Sequence, residues 1–164
     1  MSSRRLTLAT LFGVIIFAFK IVLPSPIDKA FILPQAMLLS LGYLLLRAPG
    51  ATYISFVGGL LTAIWRAPLA SFTLTFALLY GLLIDATSSV MNVRDVNNEV
   101  NEKRLITAVT VSTVIVALAS FYTSVVFRLV PRNPLLEIGI IVAGVINGVF
   151  GGYLSVVIWK RMFK

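Results

Sequence analysis

The 164-residue sequence contains neither cysteine nor histidine. Without cysteine there is no disulfide framework, thiolate metal site or sulfur nucleophile. Without histidine the commonest general base and metal ligand is missing, and haem ligation by imidazole is excluded. Charge is scarce as well: 12% of residues, of which six are acidic. Six acids, mostly in loops, make neither a proton relay nor a two-metal site. No G-x-S-x-G, no H-E-x-x-H and no paired D-x-x-x-D within an apolar run occurs. The glycine pairs at 58–59 and 151–152 lack the Lys-Ser/Thr of a phosphate-binding loop. These absences argue against an enzyme, and with no ATP-binding unit in the sequence they argue equally against a self-powered pump.

Apolar residues are abundant, at 59% of the chain with a mean hydropathy of +0.98. A soluble domain is about half apolar and about a quarter charged, so this composition in water would leave large apolar patches exposed. The chain reads as a multi-pass protein of the cell membrane. Its net charge of +8 comes from basic residues scattered singly between apolar runs. That is a pattern of orientation signals rather than a nucleic-acid surface. The opening "MSSRRLTLATLFGVIIFAF" has the basic start and apolar run of a signal peptide, but "KIVLPSP" follows with no small-residue cleavage site. It reads as a retained first helix.

Spanning the hydrocarbon core takes about 20 apolar residues, with a range near 17 to 25. Six candidates occur, at residues 6–23, 30–46, 51–65, 69–91, 105–130 and 135–158. Prolines punctuate them, in "PSPID", at Pro34, in "RAPG", at Pro68 and in "VPRNP". The third span is the shortest, and a re-entrant or displaced helix is its alternative. Six crossings place nine basic residues on one side (Arg4, Arg5, Arg47, Arg94, Lys103, Arg104, Lys160, Arg161, Lys164) and five on the other (Lys20, Lys29, Arg66, Arg128, Arg132). The positive-inside rule then puts both termini in the cytoplasm. The expected fold is all-α: one domain over residues 1–164, an integral membrane bundle of six transmembrane helices.

Lipid-embedded helices approach closely through small residues. The sixth span carries Gly144, Gly148 and Gly152, a repeated G-x-x-x-G; the first carries Ala9 and Gly13; the fourth carries Thr73, Ala77, Gly81, Asp85 and Ser89 in steps of four. For the sixth, packing within the bundle takes precedence over a partner surface; for the first the two readings weigh equally. Asp85, about a turn and a half from its span's end, reads as an interface acid that is protonated or paired with a loop arginine such as Arg94. A contact to a transport partner or ion is its functional alternative. Near the outer ends gather Trp65, Arg66, Tyr122, Thr123, Arg132, Asn133 and Glu137, with Asp28 and Lys29 in the first outer loop and Asn147 deeper. Singly these read as interface anchors, Arg66 included. Together they suit a pocket for a small polar molecule, with Glu137 on the face of Gly144 and Gly148.

The stretch "APGATYISFVGGLLTAIWRAPLASFTLTFALLYGLLID" holds a Gly-containing turn, a glycine-rich third span, a proline-bearing loop and an L-x-x-G fourth span. With six short spans and the Ala9-x-x-x-Gly13 motif, it resembles the substrate-binding S component of energy-coupling-factor vitamin transporters. The topology likeness covers the whole chain and the residue likeness about a quarter of it. The resemblance implies that Ala9 and Gly13 dock on a transmembrane coupling subunit, although that family usually has alanine at both positions. It further implies that Asp28, Lys29, Trp65 and Arg66 serve as lid or ligand contacts and that Glu137 and Asn147 hydrogen-bond a vitamin-like substrate. Two ATPase subunits would supply the energy, and no cofactor or metal is expected in the chain. The alternative is an accessory subunit of a larger membrane complex, contacting it through the sixth-span glycine face and the loop "NVRDVNNEVNEKR".

Overall fold

The computed structural model describes residues 3–22, 32–94, 99–128 and 130–162, leaving out the side chain of residue 69. These form six α-helices: α1 (Ser3–Val22), α2 (Leu33–Leu46), α3 (Gly50–Trp65), α4 (Ala70–Val90), α5 (Glu102–Val126) and α6 (Pro134–Met162). A short 3-10 turn, Ala67–Leu69, joins α3 to α4. The chain is an all-helical membrane bundle. Four helices, α1, α4, α5 and α6, are long and apolar enough to cross a bilayer, while α2 and α3 have 14 and 16 residues.

Prolines set several of the boundaries. Pro34 stands in the first turn of α2 and Pro134 opens α6, where a missing N–H breaks no intrahelical bond. Pro49 precedes α3 and supplies no side-chain cap. At the start of α5, Asn101 caps its own helix by accepting the Arg104 N–H at 3.2 Å.

The helices form a ring in which α1 packs on α3, α3 on α4, α4 on α5 and α5 on α6, while α2 closes it between α6 and α1 and also reaches α3, α4 and α5. The shortest helix is therefore the innermost, with every residue from Leu38 to Leu45 buried. Its apolar side chains Leu39, Leu41 and Leu44 are among the largest that are fully enclosed. By contrast α6 turns Ile138, Val142, Ile146, Phe150 and Tyr153 outward, each at least half exposed. An apolar exterior around a packed interior is what lipid solvation permits.

Small residues fix the helix registers. Gly144, Gly148 and Gly152 of α6 lie against Val114, Thr110 and Ile106 of α5, each step of four along one helix matched by a step of four back along the other. A methyl group on Gly148 would sit 2.5 Å from the Thr110 Cα, an approach that a residue without a side chain permits. The adjoining face of α6 meets α2, where Gly151 lies against Ala36 and the Ser155 and Ser40 hydroxyls are 2.5 Å apart. The α4 stripe meets α3 the same way, with Ala77 on Gly59, Gly81 on Ser55 and Asp85 on the backbone of Ala51. The packing reading of both stripes holds.

Candidate functional site

The outer-end residues expected to form a pocket divide into separate groups. Tyr122, on the last turns of α5, donates a hydrogen bond from its hydroxyl to Glu137 Oε1 in the first turn of α6. The intervening turn is held by Asn133, whose carbonyl accepts the Glu137 N–H at 3.1 Å and whose Oδ1 accepts the Leu135 N–H at 2.9 Å. Arg132 is close enough to act electrostatically on Tyr122. A carboxylate, a phenol and a guanidinium thus share one hairpin end. Glu137 is half-buried and Tyr122 exposed.

Asn147 is buried, 7% exposed, and donates from Nδ2 to the Ala143 carbonyl of its own helix at 2.8 Å. It sits ten residues beyond Glu137, about 15 Å along the helix axis at 1.5 Å per residue. Trp65 is 65% exposed at the end of α3. Arg66 donates from Nη2 to the Lys20 carbonyl at 2.6 Å. Lys20 lies in the last turn of α1, where backbone carbonyls lack helical partners, so the guanidinium caps α1 and ties the C-terminal ends of α1 and α3 together. Asp28, with Lys29, lies outside the described residues. Of the candidate binding residues, the structure joins Tyr122 to Glu137 directly and gives Asn147, Trp65 and Arg66 other surroundings.

Ala9 and Gly13 face the interior. Ala9 is fully buried, and Gly13 packs on Val57 and the Ile54 carbonyl of α3, beside a 2.9 Å contact between the Thr10 and Tyr53 hydroxyls. The small-residue face of α1 is thus occupied by α3 and offers no open docking surface. Its size pattern was legible in the sequence, but the helix that fills it was not.

At the opposite end, charged side chains again serve helix ends. Pro49 leaves the first amides of α3 uncapped, and Asp85 reaches across from α4 to accept them. Ala51 N–H bonds its Oδ1 at 3.1 Å, and the N–H and hydroxyl of Thr52 bond its Oδ2 at 2.7 and 2.6 Å. This replaces the expected pairing with Arg94. An anion at a helix N-terminus meets both free N–H donors and the positive end of the helix dipole. Arg94 instead donates from Nη1 to the Leu44 carbonyl in the last turn of α2 at 2.7 Å, and lies 5.4 Å over the Trp159 ring of α6. Burial first, then the charges of Arg47 and Arg5, hold its guanidinium below the ordinary arginine value. A 2.5 Å ion pair between Lys160 and Glu102 links α6 to α5 at the same end, with both side chains about half exposed.

Sequence reasoning passed over the polar pairs inside the bundle. Tyr80, buried on α4, bonds Thr113 of α5 at 2.7 Å, and Thr87 bonds Ser112 at 2.9 Å. Their only sequence signal is Ser and Thr recurring in apolar spans, which occurs equally in helices whose hydroxyls return to their own backbone.

Compared with protein families, with curated proteins and with solved structures, the chain matches none.

Proposed function

We propose that this chain is the substrate-binding subunit of an ATP-driven importer for a vitamin-like micronutrient. In this reading it crosses the cell membrane six times with both termini in the cytoplasm. A small polar molecule binds near the outer face, and separate coupling and ATPase subunits drive its release inside.

The observation that carries the reading is the Tyr122–Glu137 pair, with Arg132 beside it, at the mouth of the α5–α6 hairpin. A half-buried carboxylate at a membrane boundary is costly unless it meets donors, and one held by a neighbouring phenol is positioned to accept from a polar ligand. Asn147, ten residues farther along α6 and buried, is a separate polar group bonded to the Ala143 carbonyl of its own helix. The resemblance to energy-coupling-factor S components rests on the spans and on the 48–85 segment. Because Ala9 and Gly13 are occupied, a coupling subunit meets the outward face of α1, where Leu6, Leu11 and Val14 are 43%, 50% and 41% exposed. The rival reading, an accessory subunit of a larger complex, loses one of its two contacts because the α6 glycine face packs on α5, and rests on the 92–104 loop.

The test is native mass spectrometry of protein purified gently from its own cells, beside Glu137→Gln and Tyr122→Phe variants of matched thermal stability. A co-purifying small molecule is expected on the wild type. Its affinity falls at least about tenfold in Glu137→Gln, the scale of a hydrogen bond to a charged group, and less in Tyr122→Phe. A wild type that arrives without a small molecule but firmly attached to a large complex ends the importer reading.

A further inference from the structure

At the mouth of the α5–α6 hairpin the hydrogen-bond donors are already engaged. A phenol carries one donor, and that of Tyr122 is given to Glu137 Oε1. A carboxylate carries none, and among the described residues the second oxygen of Glu137, Oε2, has no hydrogen-bond partner. Toward a third group the pair therefore presents only acceptors: Oε2, the remaining lone pair of Oε1 and the phenol oxygen. The Tyr122 ring is held from two sides, by that bond and by the buried Phe121 ring, whose centroid lies 5.7 Å away at an interplanar angle of 63°. The residue is 42% exposed, so part of the ring stays open.

We propose that Glu137 and Tyr122 select a ligand that carries a protonated amine, the nitrogen donating to the carboxylate and lying against the open part of the phenol ring. A carbonyl, carboxylate or phosphate oxygen brings no hydrogen to an acceptor-only pair, and a ligand of that kind leaves Glu137 desolvated and unpaired. A hydroxyl supplies one donor. An ammonium supplies up to three, together with a charge opposite to that of the half-buried carboxylate. An aromatic face within about 6 Å adds a cation–π attraction that a neutral head does not receive. Arg132, exposed nearby, has the nitrogen's own sign, so direct contact with the carboxylate, rather than the net charge of the hairpin end, favours the cation. The assignment rests on the reading of this pair as the ligand site and names the ligand's chemistry. Such an amine has two sources, a soluble molecule or the ethanolamine head of a phospholipid, and both bring the same group to the pair.

The experiment uses the full chain in uncharged detergent micelles and three probes of one shape, benzylammonium, benzyl alcohol and benzoate. Binding is read by ligand-observed NMR, with empty micelles as the blank. Benzylammonium is expected to bind at least about tenfold more tightly than either other probe, the scale of a hydrogen bond to a charged group. Glu137→Gln removes that preference. Tyr122→Leu lowers the benzylammonium affinity about two- to fivefold, the scale of an exposed cation–π contact. Glu102→Gln, the same change at the opposite end of the bundle, leaves it unaltered. Competition by phosphatidylethanolamine supports the proposal and assigns the amine to a lipid head; benzylammonium binding without that competition supports it and assigns the amine to a soluble molecule. Equal binding of benzoate or benzyl alcohol, a preference that survives Glu137→Gln, or no binding of any probe at millimolar concentration overturns the proposal. A co-purifying molecule that depends on Glu137 but has no amine also overturns it while the importer reading stands; no co-purifying molecule and no bound probe removes both.

Discussion

Asp85 shows how this protein places charge. A carboxylate in the middle of a spanning helix costs about 2.5–3.5 kcal/mol on insertion scales, and less toward an interface. Here it lies 5% exposed near the end of α4, and three donors of α3 converge on it. The α3 amides need an acceptor because proline precedes them, and the carboxylate needs donors because it is buried; each removes the other's desolvation cost. Asp85→Ala therefore destabilises the folded chain by about 1–3 kcal/mol, between the loss of a helix cap and the loss of a charge-assisted bond. Asp85→Asn keeps a carbonyl oxygen for one amide and loses less. Thermal unfolding in micelles, followed by tryptophan fluorescence, gives the order wild type, Asn, Ala. An Asn variant as unstable as Ala would mean that the charge itself matters more than the cap. Arg66 and Arg94 repeat the device with opposite sign, each donating to a last-turn carbonyl, Lys20 of α1 and Leu44 of α2.

Between elements, the glycine ladders define the interfaces. The α5–α6 contact places a methyl on Gly148 at 2.5 Å from the Thr110 Cα, whereas nothing lies within 4 Å of the same position on Gly139 of the same helix. Gly148→Ala pushes α5 and α6 apart and costs about 1–3 kcal/mol, the range for overpacking a close contact. Gly139→Ala meets no neighbour and gains the few tenths of a kcal/mol to about 1 kcal/mol expected when a helical glycine becomes alanine. A melting comparison of the two variants in one detergent checks this, and a Gly148→Ala protein as stable as Gly139→Ala would show that the ladder is not in contact. These stripes were legible in the sequence because a period of four on an apolar helix has few uses besides close packing. Their partners were not legible. The α6 glycines read as packing within the bundle without showing which helix they meet, and for Ala9 and Gly13 packing and docking weighed equally, whereas Ala9 is buried and Gly13 lies against α3. Asp85 failed for a related reason: Arg94 is its neighbour in the chain, but the uncapped amides lie 34 residues away in sequence. Helix positions were legible to within a few residues, since proline and charge mark helix ends by local rules, and four of the six helices are long enough to span.

For the molecule as a whole, the decisive matter is how two short helices relate to the membrane. At 1.5 Å per residue α2 extends about 21 Å and α3 about 24 Å, less than the roughly 30 Å hydrocarbon core. Their ends are nonetheless tied to opposite ends of the bundle. The turn between them sits by Asp85 and Arg94, beside the α4–α5 loop, while the end of α3 reaches the last turn of α1 through Arg66. If α4 crosses completely, the α2–α3 turn surfaces on the same side as the α4–α5 loop, and the shortfall in length is met by local thinning of the bilayer and by polar side chains extending to the interface. The cysteine-free sequence makes this directly measurable, because any single introduced thiol is the only one present. In intact cells a membrane-impermeant maleimide is expected to label Asn133→Cys, on the α5–α6 turn. It is expected to leave Ala48→Cys and Lys103→Cys unlabelled until the membrane is opened. Labelling of Ala48→Cys and Lys103→Cys but not Asn133→Cys would invert the orientation drawn from the basic residues. Lys103→Cys reacting after permeabilisation while Ala48→Cys stays protected would leave the turn inside the bilayer and make α2 and α3 a re-entrant pair, reducing the crossings from six to the four long helices.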